Sequence, residues 1–204
     1  MNIMMDFKYR KYKGKDMFDF PEDYTVIDIE TTGLNPDENE IIEVGAVKVR
    51  DRKIVDEFSS FVSPKKDIIS PEIRKLTGID EAMIEGADQI EDVIPRFNEF
   101  IDGEILLGHN VNFDINFLYD NYERYSDFYL SNDYVDLLKI SRKLSPEFEN
   151  HKLETVLKKL GIKVDQQHRA VSDCIDAHHC FEKYRETIIA QYGDVSVYKM
   201  IFNL

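Results

Sequence analysis

The segment Tyr24-Thr-Val-Ile-Asp-Ile-Glu30 decides the fold, because its β-branched residues predict a strand that ends in two acids. A turn sequence, Thr31-Thr-Gly-Leu-Asn-Pro36, follows it directly. Residues 41–50 and 53–62 predict two further strands, and the short link between them permits a hairpin but no parallel crossover. The first third of the chain therefore predicts three antiparallel strands.

The rest of the chain alternates between helical and strand patterns. Short apolar strands are predicted at 104–108 and 133–135. Apolar residues at helical spacing predict helices over 89–101, 112–125 (with Asn112 as its N-cap), 136–144, 152–160 and 169–190. Three antiparallel strands followed by alternating helices and strands predict an α/β fold with one mixed sheet.

The length of 204 residues is typical of one domain. We expect a basic N-terminal extension over 1–20, a folded domain over 21–190 and a short C-terminal segment over 191–204. The lysines and arginine of the extension either touch a passing polyanion or form a mobile, solvated tail, and we favour the tail. The apolar C-terminal segment either packs on the core or docks on a partner.

Composition excludes several classes of protein. The two cysteines, Cys174 and Cys180, lie six residues apart in a predicted helix and cannot bridge, which excludes a disulfide-rich secreted scaffold. No apolar run approaches the ~18 residues that a membrane span needs, and residues 1–15 lack a signal-peptide core. These observations predict a soluble cytoplasmic protein without membrane contact. The net charge of −14 fits a solvated surface, a repeller of polyanions or a holder of cations.

Asp28 and Glu30 are two residues apart on the first strand, so their side chains share one face while Ile27 and Ile29 point into the core. Two carboxylates ~4 Å apart repel by roughly 4 kcal/mol at an effective dielectric near 20. Either water at a strand end or a bound cation offsets this repulsion, and the pair alone does not decide between them.

Two more acids occupy informative positions. Asp114 lies in the first turn of a predicted helix, where the helix dipole favours an acid. The strand before it also brings Asn110 and Phe113 to its carboxyl end, which is where open α/β sheets place their ligands. Asp173 lies within the apolar stripe of the long helix, and a buried acid needs a partner or a metal unless it sits at the rim of the stripe. Arg169, one turn away, points elsewhere.

The histidines divide into two groups. His168 lies five residues before Asp173, so it acts beside this acid only if it stands on the loop before the helix. His178 and His179 adjoin Cys180, but adjacent helical residues diverge and the spacing fits no zinc pattern. We therefore interpret that second cluster as structural. Four acids and one imidazole without a thiolate suit hard cations such as Mg²⁺ or Mn²⁺.

Three motifs in order resemble the DEDD superfamily of exonucleases. Residues 27–34 (Ile-Asp-Ile-Glu-Thr-Thr-Gly-Leu) resemble its first motif, and 109–118 (His-Asn-Val-Asn-Phe-Asp-Ile-Asn-Phe-Leu) resemble its second. Residues 168–173 (His-Arg-Ala-Val-Ser-Asp) resemble the third, and the histidine resembles that of the DEDDh branch, which includes the DnaQ-like proofreading subunits of bacterial replicative polymerases. The resemblance implies a ribonuclease H-like fold and an exonuclease domain over 21–190.

The resemblance also implies an activity. It implies 3′–5′ hydrolysis of terminal phosphodiesters of DNA, which releases nucleoside 5′-monophosphates in proofreading or repair with two Mg²⁺ or Mn²⁺ ions. Asp28 would bridge both ions, Glu30 and Asp173 would hold the first, and Asp114 the second. His168 would accept the proton of the attacking water. Contacts to the substrate would come from Thr31, Gly33, Leu34, Asn110 and Phe113.

The implied partners are single-stranded or frayed 3′ ends, with DNA favoured, and a DNA polymerase subunit is a possible companion. Residues 76–79 resemble a substrate-side loop of the family. Only about 15 residues follow the long helix, which favours an independent enzyme over a tethered subunit. Two alternatives stay open: an exoribonuclease that trims RNA 3′ ends, and a catalytically silent binding module. The presence of all five catalytic residues argues against the silent module.

Overall fold

The computed structural model describes residues 8–66, 68–163 and 169–204. Its strands are β1 (Asp16–Met17), β2 (Tyr24–Thr31), β3 (Ile41–Arg50), β4 (Lys53–Phe61), β5 (Leu106–Gly108) and β6 (Tyr134–Asp136). Its helices are α1 (Pro71–Thr77), α2 (Glu81–Ile84), α3 (Ile90–Ile101), α4 (Asn112–Tyr125), α5 (Leu137–Leu144), α6 (Leu153–Leu160), α7 (Ala170–Tyr192) and α8 (Val195–Phe202).

The six strands form one mixed sheet in the order β1-β6-β5-β2-β3-β4. The β2–β3 and β3–β4 pairs are antiparallel, whereas β5, β6 and β1 extend the sheet in parallel with β2. In the β2–β3 register Asp28 faces Gly45, and Glu30 faces Glu43. The predicted mixed sheet with three antiparallel strands is confirmed.

Helices cover both faces of this sheet. Successive side chains of β2 therefore pack against different sets of helices. Ile27 and Ile29 belong to the core that α3 and α4 complete. Tyr24 and Val26 point to the other face, where α5, α6 and α7 pack. Asp28 and Glu30 continue this second row beyond its buried apolar part. The strand therefore carries its acids out of the α7-side core.

The N-terminal segment is ordered against the sheet, so the predicted mobile tail is wrong for residues 8–20. β1 pairs with β6. The Arg10 guanidinium donates two hydrogen bonds to Asp120 of α4, at 2.9 and 2.7 Å, and the Asp120 side chain is fully buried. The charge pattern of the segment was visible in the sequence, but its acidic partner lies 110 residues away. The predicted domain limits at 21 and 190 stay predictions.

Several short elements have local causes that the periodicity analysis missed. α1 starts at the Ser70 cap with Pro71 in its first turn, and it ends at Gly78 with φ of 70°. α4 has Val111 at its N-cap position, so the predicted Asn112 cap is wrong by one residue; the Asn112 amide oxygen instead accepts a hydrogen bond from Lys13. α8 packs on α7 with Tyr198 buried.

Two negative predictions can be compared with the described residues. Both cysteines are buried and free. None of the helices in the described ranges combines the length and apolar character that crossing a bilayer requires.

Candidate active site

Three carboxylates from two elements meet at one end of the sheet. Asp28 and Glu30 come from β2, and Asp173 comes from the first turn of α7. One oxygen of each lies within 4.8 Å of the others, and all three side chains are half-buried. The structure therefore brings together three of the four predicted metal ligands as a single group.

A missing side chain allows this meeting. Gly45 faces Asp28 on β3, and a Cβ atom there would lie 2.6 Å from the Cβ of Ala170 and 2.7 Å from its carbonyl carbon. Real Cβ atoms do not approach so closely, so only glycine lets the start of α7 lie directly on the strand. The Sγ of Cys174 donates to the Gly45 carbonyl at 3.7 Å, one residue after Asp173.

Asp114 lies beside this group rather than within it. It is buried in the first turn of α4, and its Oδ1 accepts a hydrogen bond from the Ile29 N–H at 3.0 Å. This bond ties the start of α4 to β2 between the two acids of the strand. The charge of Asp114 also contributes to the raised pKa of Asp28, so the two carboxylates interact electrostatically.

Burial and mutual repulsion disfavour the charged forms of these acids. Burial, followed by the charges of Asp114, Glu30 and Asp173, raises the pKa of Asp28 well above its usual range. Burial and the charges of Asp173 and Glu43 raise the pKa of Glu30 to about 8, against the opposing effect of Arg169. A divalent cation would relieve this repulsion, and a group of oxygen ligands suits Mg²⁺ or Mn²⁺. The chemistry of the residues therefore fits a divalent metal site.

The residue before α7 is anchored by an acid that sequence analysis missed. Arg169 donates to both carboxylate oxygens of Glu43, at 2.9 to 3.2 Å, and the Ala170 N–H donates to the same group at 3.3 Å. The Arg169 side chain is therefore held by Glu43 of β3. His168, the predicted base, precedes Arg169 and lies outside the described residues. The sequence signal for this anchor was Glu43 itself, an acid within the apolar strand β3 at the position that faces Glu30.

Asn110 adopts a strained backbone conformation, with φ of 63°. Its N–H donates to Asp136 Oδ1 at 2.9 Å, and the same oxygen accepts from the Leu138 N–H at the start of α5. Asp136 therefore holds the turn between β5 and α4. Sequence analysis missed this role because Asp136 and Asn110 become neighbours only when β5 and β6 pair.

His109 is fixed in its neutral form by burial, which lowers its pKa to about 4. Its Nε2–H donates to the His151 carbonyl at 2.7 Å, and a carbonyl oxygen can only accept. His109 and Leu76 line a cavity of about 470 Å³ whose wall includes Asp28 and Asp173. The cavity thus lies directly over the carboxylate group, and residue 76 of the predicted substrate-side loop reaches it.

The predicted substrate contacts occupy different environments. The Thr31 hydroxyl donates to the Gly33 carbonyl at 2.6 Å, and a Cβ on Gly33 would meet the side chain of Asn39. Leu34 is 84% exposed at the tip of this turn. Phe113 packs on Phe117 with ring centroids 4.9 Å apart. Their contacts with a substrate stay predictions.

The histidines near Cys180 make no metal site in the described part of the chain. The Nδ1 of His178 lies 2.8 Å from the Tyr24 hydroxyl, while His179 is exposed. The only group of three or more possible ligands among the described residues is that of Asp28, Glu30 and Asp173. The structural interpretation of the histidines agrees with these contacts.

A mixed sheet with an acidic metal site at the end of its first long strand defines a class of metal-dependent nucleases with the ribonuclease H-like fold. The family comparison agrees, since the exonuclease family RNase_T matches residues 25–180. The chain belongs to this exonuclease family, and the predicted fold and family are confirmed.

Two curated relatives are DNA polymerases. The PolC-type DNA polymerase III of Caldanaerobacter subterraneus subsp. tengcongensis is 42% identical over 166 residues, which cover 81% of this chain and 12% of that protein. The PolC-type DNA polymerase III of Bacillus subtilis is 42% identical over 153 residues, which cover 74% of this chain and 11% of that protein. The chain therefore spans about an eighth or less of the length of these relatives.

Solved structures support the same fold. Exonuclease X in complex with 5′ overhanging duplex DNA is 28% identical, with a TM-score of 0.63 over 83% of this chain and 93% of that one. E. coli Exonuclease I in complex with a dT13 oligonucleotide is 20% identical, with a TM-score of 0.70 over 84% of this chain and 42% of that one. At that lower identity the second likeness concerns the fold alone.

Proposed function

We propose that this chain is a 3′–5′ exonuclease that removes nucleoside 5′-monophosphates from single-stranded or frayed 3′ ends of DNA. The observation that carries the proposal is the group formed by Asp28, Glu30 and Asp173, in a chain of the exonuclease family. The PolC-type relatives favour DNA as the substrate and proofreading as the role. They also favour a cytoplasmic location and action beside a polymerase.

The carboxylates divide between two ion positions. Glu30 and Asp173 would hold one divalent ion and Asp114 would hold the second, and Asp28, on which the charges of all three act, would contribute to both. Two such ions supply a low-pKa water and stabilisation of the leaving oxygen when they are bound. Burial, together with the charges of neighbouring acids, raises the pKa values of Asp28 and Asp114, and a bound cation would stabilise their charged forms.

The surrounding side chains would accept the proton and contact the substrate. His168 would take the proton of the attacking water, which requires its neutral form. The Arg169–Glu43 hydrogen bonds fix the backbone directly after it. Leu34 would enter between the terminal bases and Phe113 would stack on one of them, as bases of single strands do on apolar and aromatic groups.

A time course on 5′-labelled oligonucleotides tests the proposal. Single-stranded DNA, a duplex with a mismatched 3′ end and single-stranded RNA are incubated with Mg²⁺ or Mn²⁺. We expect DNA products that shorten one nucleotide at a time. Asp28→Asn should lower the rate at least about a thousandfold, because this carboxylate serves both ions. Asp56→Asn, an equal change on the exposed face of β4, is the control.

Four outcomes decide the proposal. Release of nucleotides from the 5′ end, or full activity in Asp28→Asn, would contradict it. Faster degradation of RNA than of DNA would move the substrate assignment to RNA. His168→Ala should retain metal binding while it loses activity, and an unchanged rate would remove His168 as the base.

A further inference from the structure

A second cavity adjoins the one above the carboxylates. It measures about 610 Å³ and shares the side chains of His109, Lys152 and Leu153 with the first cavity. It continues past Asn110 towards Arg142 of α5. The two cavities therefore form one groove, which runs from Asp28 and Asp173 to the surface between α5 and α6.

The far part of this groove is positive in an otherwise acidic protein. Arg142 and Lys152 are exposed, and within the described residues neither forms an ion pair with an acidic side chain. None of the described residues that line the second cavity is acidic. In a chain with a net charge of −14, two adjacent cations without acidic partners beside a carboxylate site need an explanation.

The groove walls are held by hydrogen bonds. The carbonyl of His151 accepts from His109, and its ring Nδ1 lies 2.8 Å from the Ser141 hydroxyl of α5. The Asp136 carboxylate accepts from the N–H of Asn110, which lines the second cavity. The cations therefore project from a frame that already joins β5, α5 and the start of α6, so little ordering is needed on binding.

We propose that this groove binds the phosphodiester backbone of the substrate strand 5′ of the scissile bond, with Arg142 and Lys152 on its phosphates. The inference rests on the proposed function and adds the direction in which the strand leaves the carboxylates. Arginine and lysine are the side chains that bind phosphate oxygens. Leu138 and Leu153 provide apolar surface for sugars and bases along the same path. The ligand is any single-stranded nucleic acid backbone, whether DNA or RNA.

The test compares a substrate that extends into the second cavity with one that covers only the carboxylates. Thymidine 5′-monophosphate p-nitrophenyl ester has one nucleotide and covers only the carboxylates, whereas dT10 and rU10 extend along the groove. The variant is Arg142→Gln, because Arg142 lines the second cavity and not the first, whereas Lys152 lines both. The control, Lys143→Gln, removes one charge from an exposed position of α5 that lines neither cavity of the groove.

Activity and binding are both measured. The ratio of kcat/KM for dT10 to that for the ester should fall about tenfold or more in the variant, mainly through KM, and should stay constant in the control. With Ca²⁺ in place of Mg²⁺, the affinity of fluorescein-labelled dT10 and rU10 should fall by a similar factor. The slope of log affinity against log salt should become shallower by about one.

The outcomes separate the two proposals. An equal loss for the ester and dT10, or identical salt slopes in variant and control, overturns the groove assignment while the parent chain still degrades DNA. An inactive parent chain overturns the proposed function, and the Ca²⁺ binding measurement then still decides whether the groove holds the strand. If the variant loses affinity for dT10 but not for rU10, the groove does not bind the backbone alone, and the proposal is wrong.

Discussion

Arg169 contacts Glu43 beside the acidic group and directly follows His168, the proposed base, in the sequence. Its hydrogen bonds with Glu43 fix the residue next to His168, and its charge opposes the rise in the Glu30 pKa. Neither residue is a proposed metal ligand or proton acceptor. Glu43 and Arg169 are therefore positioning residues.

Replacement of Glu43 tests this positioning role. Glu43→Gln removes the charge that holds Arg169, so we expect kcat to fall about ten- to a hundredfold while KM changes little. Arg74→Gln breaks an exposed ion pair with Glu81 and is the control. Steady-state kinetics on dT10 separate kcat from KM. A rise in KM alone would show that Glu43 affects substrate binding instead.

The pKa of Glu30 predicts how stability depends on pH in the absence of metal. Its folded value of about 8 lies above the unfolded value of 4.5, so the folded state binds the proton more tightly. The stabilisation is complete below about pH 4.5 and is lost as the pH rises through about 8. Calorimetry in EDTA should therefore show a Tm that falls between about pH 6 and 8, and Mg²⁺ should restore it most at the higher pH.

Glu30→Gln provides the matched comparison, because it keeps the shape of the side chain and removes its titration. The fall in Tm over this pH range should be smaller in the variant by an amount equivalent to a few kcal/mol at most. Equal pH profiles for the parent and Glu30→Gln would show that Glu30 is not the group responsible.

The sequence predicted the positions of the clustered acids better than those of the residues that support them. Asp28 and Glu30 follow from strand alternation, and Asp173 from its position in a helical stripe. Glu43 and Asp136 escaped notice because their roles depend on partners 126 and 26 residues away. Periodicity reports the face a residue occupies, whereas a supporting hydrogen bond exists only after distant segments pack.

At the scale of elements, the contact between β3 and α7 positions the site. Gly45→Ala should push the start of α7 away from β2 and separate Asp173 from Asp28. We expect a loss of about 1–3 kcal/mol in unfolding free energy, as in other overpacked cores, and weaker Mn²⁺ binding. Urea unfolding and titration calorimetry measure the two effects.

The control is Ser59→Ala, at the position that faces Gly45 from β4. It makes a small change in the same ladder without steric conflict with α7. If Gly45→Ala binds Mn²⁺ as tightly as this control does, the close packing of α7 does not set the metal site.

Long periodic elements were predicted almost to the residue, and short ones were not. The predicted bounds of β3 and α4 agree with the structure, whereas β1, α1, α2 and α8 were absent from the prediction. A two-residue strand has no measurable alternation. A helix of four to eight residues shows about one or two turns of pattern, so its caps carry more information than its periodicity.

At the scale of the whole molecule, residues 8–17 connect α4 to the far edge of the sheet. Arg10→Ala would remove two hydrogen bonds from the buried Asp120 and leave it with Lys8, whose Nζ lies 3.1 Å away, so we expect about 1–3 kcal/mol less stability. Lys11→Ala, an exposed neighbour, should change stability by less than about 0.5 kcal/mol. Urea unfolding of both variants checks this, and equal midpoints would mean that the segment is not part of the folded unit.

Cys174 lies one residue after Asp173, fully buried between α7 and the sheet, and its thiol bonds to Gly45. Burial raises the pKa of this thiol, so alkylating reagents should react with it only when α7 lifts from β3. Because the carboxylates proposed to hold an ion belong to β2 and α7, occupancy of the site should slow that opening. The rate of alkylation at Cys174, followed by mass spectrometry, therefore measures how often α7 separates from β3 in the unmodified protein. We expect this rate to be lower with Mg²⁺ or Mn²⁺ than in EDTA.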